Sequence, residues 1–79
     1  KWLDFEMYPN PAATELNIQL SSGTNEAIVE FYDTMGRLSL SKKIDTSDPQ
    51  INVSNLSRGV YLLKVLSEDK VGTQKFIKE

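Results

Sequence analysis

The stretch of sequence that decides the fold is Leu56-Ser57-Arg58-Gly59-Val60-Tyr61-Leu62-Leu63-Lys64-Val65. Its glycine suits a left-handed turn, in which a residue with a Cβ would be strained. After the turn, apolar residues occupy both sets of alternating positions. This pattern predicts a strand with apolar groups on both faces, at the centre of a sheet and covered on each side.

Other segments on the N-terminal side have the period-two alternation of half-buried strands. Residues 15–20 alternate regularly, and residues 26–33 and 37–44 are joined by a short turn that contains Gly36. A tight hairpin turn needs a residue with positive φ, and we expect Gly36 to be that residue. Two strands joined by such a turn should pair antiparallel. In the segment 37–44, the residues predicted to face inward are Leu38, Leu40 and Ile44.

The remaining strands lie at the beginning of the chain and on either side of the central strand. Residues 1–7 are interpreted as the end of a linker and a possible first strand. The following Tyr8-Pro9-Asn10-Pro11 should bend the chain at a sheet edge, because neither proline can donate a backbone hydrogen bond. Short strands at 50–54 and 71–78 bring the count to seven. We therefore expect an all-β, seven-stranded antiparallel β-sandwich with no helix longer than a turn.

Composition excludes more functions than it suggests. The 79 residues contain no cysteine and no histidine, so disulfides, thiolate–zinc sites and the commonest general base are absent. The net charge of −2 is too small to indicate a nucleic-acid partner. No apolar run approaches the roughly 18 residues of a membrane span, so direct membrane insertion is not expected. We expect no enzyme activity, no cofactor and no metal.

Two residue groups could suggest chemistry, and each has a simpler explanation. Acidic residues stand in two predicted turns: Asp45, Asp48, Glu68 and Asp69. They lack the ligand spacing and central glycine of a calcium loop, which favours turn solvation. Two serines and two lysines lie on one predicted strand: Ser39, Ser41, Lys42 and Lys43. Serine–lysine catalysis would need an elbow turn, and this strand has none.

An aromatic platform is the alternative that the residues leave open. Trp2, Tyr8 and Tyr32 could together bind a sugar, as in a carbohydrate-binding or adhesive Ig-like accessory module. Aromatic residues at the edge of a sandwich more often serve packing.

The order of the turn and strand motifs is more specific than any one of them. The landmarks are Tyr8-Pro9-Asn10-Pro11, Leu16-Asn17-Ile18, Phe31-Tyr32-Asp33, Met35-Gly36-Arg37, Val53-Ser54-Asn55-Leu56, Gly59-Val60-Tyr61, Lys64-Val65 and Lys75-Phe76-Ile77-Lys78. In this order and spacing, residues 8–79 resemble the C-terminal sorting domains of the type IX (Por) secretion system. The resemblance implies one sorting domain at 8–79, with an Ig-like or fibronectin-like sandwich fold.

The resemblance also implies a function. Such domains occur in Bacteroidetes-type bacteria and direct a cargo protein across the outer membrane, after which a gingipain-like cysteine sortase usually removes them. The implied partners are the outer-membrane translocon, a shuttle protein and that sortase. The implied location is the periplasm in transit, followed by the cell surface or the medium.

Two sets of residues are carried over by position. The terminal segment that the machinery would recognise is Lys75, Phe76, Ile77, Lys78 and Glu79. The motif residues that would serve mainly structure are Pro9, Asn10, Pro11, Gly36, Gly59 and Tyr61. An extended end with alternating apolar and basic groups can add a strand to a partner, which gives the first assignment a physical rationale.

Overall fold

The computed structural model describes residues 3–79, and its regular structure is entirely β. The strands are β1 (Phe5–Tyr8), β2 (Glu15–Leu20), β3 (Glu26–Tyr32), β4 (Leu38–Asp45), β5 (Gln50–Asn52), β6 (Gly59–Ser67) and β7 (Lys70–Lys78). No helix occurs among the described residues. The prediction of a seven-stranded, all-β chain is therefore confirmed, and the possible first strand predicted within residues 1–7 begins at Phe5.

The strands form two antiparallel sheets. One has three strands in the order β1-β2-β5, and the other has four in the order β4-β3-β6-β7. β6 therefore lies inside the larger sheet, as its apolar sequence predicts. Inward side chains of both sheets form one hydrophobic cluster, so the two sheets make a sandwich. The Ig-like assignment stays a prediction.

The core confirms the alternation read from the sequence. The largest fully buried side chains are Phe31, Phe76, Leu16, Ile44, Ile51, Leu63, Val29, Val53 and Val65. They come from β2 to β7 and from the residue after β5. Burying each such side chain contributes roughly 1.5–3 kcal/mol, so this cluster is the main source of stability in a cysteine-free domain.

The prediction that Leu38 faces the core is wrong. Its side chain is 53% exposed. The register of the β3–β4 pair shifts beside this residue. Phe31 pairs with Leu40, but the next residue, Tyr32, pairs with Leu38 and skips Ser39. Ser39 is thus the extra residue of a β-bulge, and one extra residue turns every side chain beyond it to the other face.

The prediction that both faces of β6 are covered is also wrong. Tyr61, Leu63 and Val65 are buried, but Val60 and Leu62 on the opposite face are 44% and 48% exposed. A seven-stranded sandwich has two layers, so each sheet is packed on one face only. The outer face of the four-stranded sheet thus carries exposed apolar side chains.

Candidate recognition site on the C-terminal strand

The predicted recognition segment is divided between the two faces of β7. This strand pairs with β6 over its whole length, from Lys70 opposite Ser67 to Lys78 opposite Gly59. Strand alternation turns Phe76 and Lys78 inward, where they are 0% and 7% exposed. Two further members of the segment, Lys75 and Ile77, point outward, and the terminal Glu79 is also exposed.

Phe76 is a packing residue in the folded domain. Its ring meets Phe31 edge to face, with centroids 5.5 Å apart and planes at 75°. The ring of Tyr61, opposite it on β6, lies 6.3 Å away. Such aromatic pairs add to the stabilisation that burial of the rings already provides. A partner of the folded domain therefore cannot reach this side chain.

Lys78 is buried, which is unusual for a lysine. Its Nζ donates a hydrogen bond of 2.8 Å to the backbone carbonyl oxygen of Glu79. A lysine can place its aliphatic stem in an interior when the ammonium group keeps a partner. The inward half of the recognition segment thus anchors the strand.

The backbone of β7 has a second neighbour on its outer edge. Asn10 donates from Nδ2 to the Lys75 carbonyl oxygen at 3.2 Å and accepts the Ile77 N–H at 3.0 Å. Ala12 donates to the Ile77 carbonyl oxygen at 3.1 Å and accepts the Glu79 N–H at 2.9 Å. The outer edge of the recognition segment is therefore closed by residues 10–12.

Asn10, between two prolines, uses its side chain to make the hydrogen bonds to β7 that a strand backbone would make. Both proline peptide bonds, Tyr8–Pro9 and Asn10–Pro11, are cis. A proline has no N–H to donate, but a side-chain amide offers a donor and an acceptor as a peptide group does. The Asn10 side chain thus continues the hydrogen bonding that the proline backbone interrupts.

The same N-terminal segment also covers the start of β7. The Leu3 N–H donates to the Val71 carbonyl oxygen at 2.9 Å, and Gln74 Nε2 donates to the Phe5 carbonyl oxygen at 2.7 Å. A Cβ at Gly72 would collide with the Leu3 carbonyl oxygen, so only glycine permits this approach. We call residues 3–12 the strap. It runs parallel to β7, as the parallel bridge at its far end shows.

The outward side chains of the segment join an exposed apolar patch. Ile77 pairs with Val60, and Lys75 pairs with Leu62, on the outer face of the larger sheet. We call these four residues the outer patch; a shallow hollow bordered by Asp33 adjoins it. Sequence reasoning missed Val60 and Leu62 because it assumed cover on both faces of β6. The two-layer limit of a seven-stranded sandwich is the signal that could have revealed them.

Gly59 and Tyr61 shape the turn that leads into β6. Gly59 has φ of 147°, and Tyr61 donates from its hydroxyl to the Ser57 carbonyl oxygen at 2.7 Å. This tyrosine contact to the backbone a few residues upstream resembles the tyrosine corner of β-sandwich domains. These contacts are structural ones. Val60, which lies between the two residues, belongs to the outer patch, so the turn also positions part of that patch.

The β3–β4 turn is held by one carboxylate. Asp33 Oδ1 accepts the N–H groups of Met35 at 2.9 Å and of Arg37 at 3.0 Å. The Arg37 N–H, foremost, together with the Met35 N–H and the Arg37 guanidinium, lowers the pKa of Asp33 below its ordinary value. Gly36 has φ of 81°, as predicted. These contacts are those of a tight structural turn.

The acidic turn residues also serve local structure. Asp45 Oδ1 accepts hydrogen bonds from the Ser47 hydroxyl at 2.7 Å, the Ser47 N–H at 2.9 Å and the Asp48 N–H at 2.8 Å. The bond from the Ser47 hydroxyl, followed by those from the two N–H groups, lowers the pKa of Asp45. Among residues 3–79, no cluster of three or more acidic side chains could hold a metal ion. Nor do these residues form a helix able to span a membrane.

The aromatic residues of the alternative sugar platform are not brought together by a common sheet. Tyr8 ends β1 of the three-stranded sheet, whereas Tyr32 ends β3 of the four-stranded sheet. The Tyr32 hydroxyl donates to Glu30 Oε1 at 2.8 Å, and this bond raises the pKa of Tyr32. Trp2 lies outside the described residues.

The fold and the site together define a small β-sandwich domain whose C-terminal strand pairs with β6 on one edge and is hydrogen-bonded to the strap on the other. Residues 6–79 match the family described as the secretion system C-terminal sorting domain. The chain belongs to this family, the C-terminal sorting domains of type IX secretion. No curated protein sequence matches the chain. The family is one of sorting signals and not of enzymes, and membership implies contact with the secretion machinery and export to the surface or the medium.

Proposed function

We propose that this domain directs a cargo protein across the outer membrane through the type IX translocon, with a shuttle protein as a second partner. It acts as a ligand of the machinery and not as an enzyme. The cargo passes through the periplasm, and a gingipain-like sortase then removes the domain at the surface. The family match over residues 6–79 is the observation that carries this proposal.

We further propose that the machinery binds the segment Lys75–Glu79. Some residues of the segment contact the partner, and others hold the strand in place. Lys75 and Ile77 project from the folded domain, where they can contact a partner without any change in the core. Phe76 and Lys78 are buried and hold the strand in position. This division supports recognition through the outward residues of the segment.

A reporter fusion tests both proposals. Residues 1–79 are fused to a periplasmic reporter protein and expressed in a type IX-competent strain, and surface reporter is measured. Retention of the wild-type fusion in the periplasm would overturn the sorting function for this domain.

The recognition residues are tested with a matched pair of variants. Lys75→Glu/Ile77→Ser alters two outward residues of the segment. Lys43→Glu/Ile28→Ser makes the same chemical changes at exposed neighbours elsewhere on the outer face of this sheet. We expect the first variant to be retained and the second to be exported, with both folded by circular dichroism. Equal export of the two would refute the assignment of Lys75 and Ile77.

A further inference from the structure

We propose that residues 9–12 of the strap are a releasable latch, and that a β-strand of the secretion machinery replaces them on the outer edge of β7. This inference rests on the proposed sorting function. It specifies the partner's chemistry: an extended segment that donates N–H groups to the carbonyl oxygens of Lys75 and Ile77, and accepts the N–H groups of Ile77 and Glu79.

The first argument is that the edge is occupied. Strand addition needs unpaired backbone groups on an edge strand. Four outward backbone groups of the segment, the carbonyl oxygens of Lys75 and Ile77 and the N–H groups of Ile77 and Glu79, are bonded to Asn10 and Ala12. The other edge of β7 is bonded to β6. A partner can therefore pair with the backbone of this segment only if residues 10–12 leave.

The second argument is that this half of the strap can leave alone. Pro9, Asn10 and Pro11 are exposed, and both side-chain bonds of Asn10 are exposed as well. Ala12 is buried, but it is small. The other half of the strap buries Leu3 and Phe5 in the core. Opening of a segment with few buried apolar contacts requires much less free energy than unfolding the domain.

The third argument is that release would not disturb the strand. Phe76 stays buried against Phe31 and Tyr61, and β7 keeps its full register with β6. Removing the latch thus exposes a preformed edge, with Lys75 and Ile77 still projecting from the outer face. An incoming strand could then pair with a template that is already ordered.

A disulfide across the latch tests this proposal in the reporter strain. Ala12 and Lys78 face each other in an isolated parallel bridge, and the chain has no other cysteine. Ala12→Cys/Lys78→Cys joins the latch to β7 in the oxidising periplasm. Ala12→Ser/Lys78→Ser is the matched control, because it makes similar side-chain changes without the bond.

We expect the disulfide variant to give surface reporter about tenfold or more below the serine control, because the binding-competent open state is no longer populated. Equal surface reporter from the two would overturn the latch while leaving the sorting function intact. Retention of the wild-type fusion would instead overturn the sorting function itself.

Hydrogen exchange on the 79-residue chain gives a second test that does not depend on Lys78. We expect the Ile77 and Glu79 amides, which bond to the latch, to exchange about tenfold or more faster than the Phe76 amide, which faces β6. Asn10→Ala should accelerate Ile77 and leave Phe76 nearly unchanged. Identical exchange rates at Ile77 and Phe76 would show that the latch opens only with the whole domain, and would overturn the proposal even if the serine control were not exported.

Discussion

Phe76→Ala should destabilise the domain severely, although Phe76 lies inside the segment proposed for recognition. The ring is fully buried and packs against Phe31 and Tyr61. Truncation of a buried phenylalanine costs about 3–5 kcal/mol. A domain of this size has a free energy of unfolding of roughly 4–12 kcal/mol, so the substitution removes a large share of it.

The assay is urea unfolding followed by circular dichroism. With a slope of about 1–1.5 kcal/mol per molar urea, we expect the midpoint of Phe76→Ala to fall by at least about 2 M. Ile77→Ala is the control, because this neighbouring side chain is 37% exposed. Its midpoint should fall by less than about 1 M, as for a partly exposed apolar residue.

The result bears on how export data for this segment are interpreted. If the two variants shift the midpoint equally, Phe76 is not a core residue and the reasoning is refuted. Phe76→Leu should cost less than the alanine variant because it retains most of the buried side-chain volume. Export of Phe76→Leu, together with retention of Phe76→Ala, would assign the effect of this residue to folding.

Three further predictions concern the turns. Tyr61→Phe removes the hydrogen bond to the Ser57 carbonyl oxygen and should lower the free energy of unfolding by about 1 kcal/mol. Tyr61→Ala should lower it by about 3 kcal/mol or more. A urea midpoint that hardly moves in the alanine variant would contradict the core position of Tyr61. Gly36→Ala places a Cβ at a φ of 81° and should lower the free energy of unfolding by about 1–2 kcal/mol. Gly36→Asn should lower it by less, because asparagine tolerates this conformation better. Equal losses for the two variants in urea unfolding would argue against backbone strain at this position. Hydrogen bonds, chiefly from the Arg37 N–H, lower the pKa of Asp33 in the folded domain. The stabilisation from the ionised carboxylate should therefore be complete above about pH 4 and decline as the pH falls through the lower folded pKa. In acid unfolding followed by circular dichroism, Asp33→Ala should accordingly depend less on pH than the wild type.

The strands were predictable because local pattern and local turns agree. Residues 15–20 alternate regularly, and the predicted strand has the same bounds as β2. Gly36 marks its turn by residue type alone. Leu38 could not be placed, because a bulge at Ser39 is a property of how two strands pair and leaves no mark on the alternation. Register beyond a bulge therefore has to come from the structure.

The candidate site was predictable in position but not in its surroundings. Alternation alone indicates that Phe76 and Ile77 face opposite ways on the strand. The prolines correctly indicate that the backbone ladder stops at Pro9. That Asn10 then bonds to Lys75 and Ile77, more than sixty residues away, is a tertiary contact that neither proline spacing nor hydropathy encodes. The closure of the β7 edge was therefore found only in the structure.

The parallel course of the strap and β7 determines how the domain bears mechanical force. Leu3 lies at the beginning of β7, and Glu79 lies beyond its end, beside Ala12. A tension that draws Leu3 and Glu79 apart slides the two segments along each other, so their hydrogen bonds are loaded together in shear. A pull that lifts Glu79 sideways from the sheet loads the same bonds one after another. The domain should therefore resist stretching between its ends far better than peeling from its C-terminal strand.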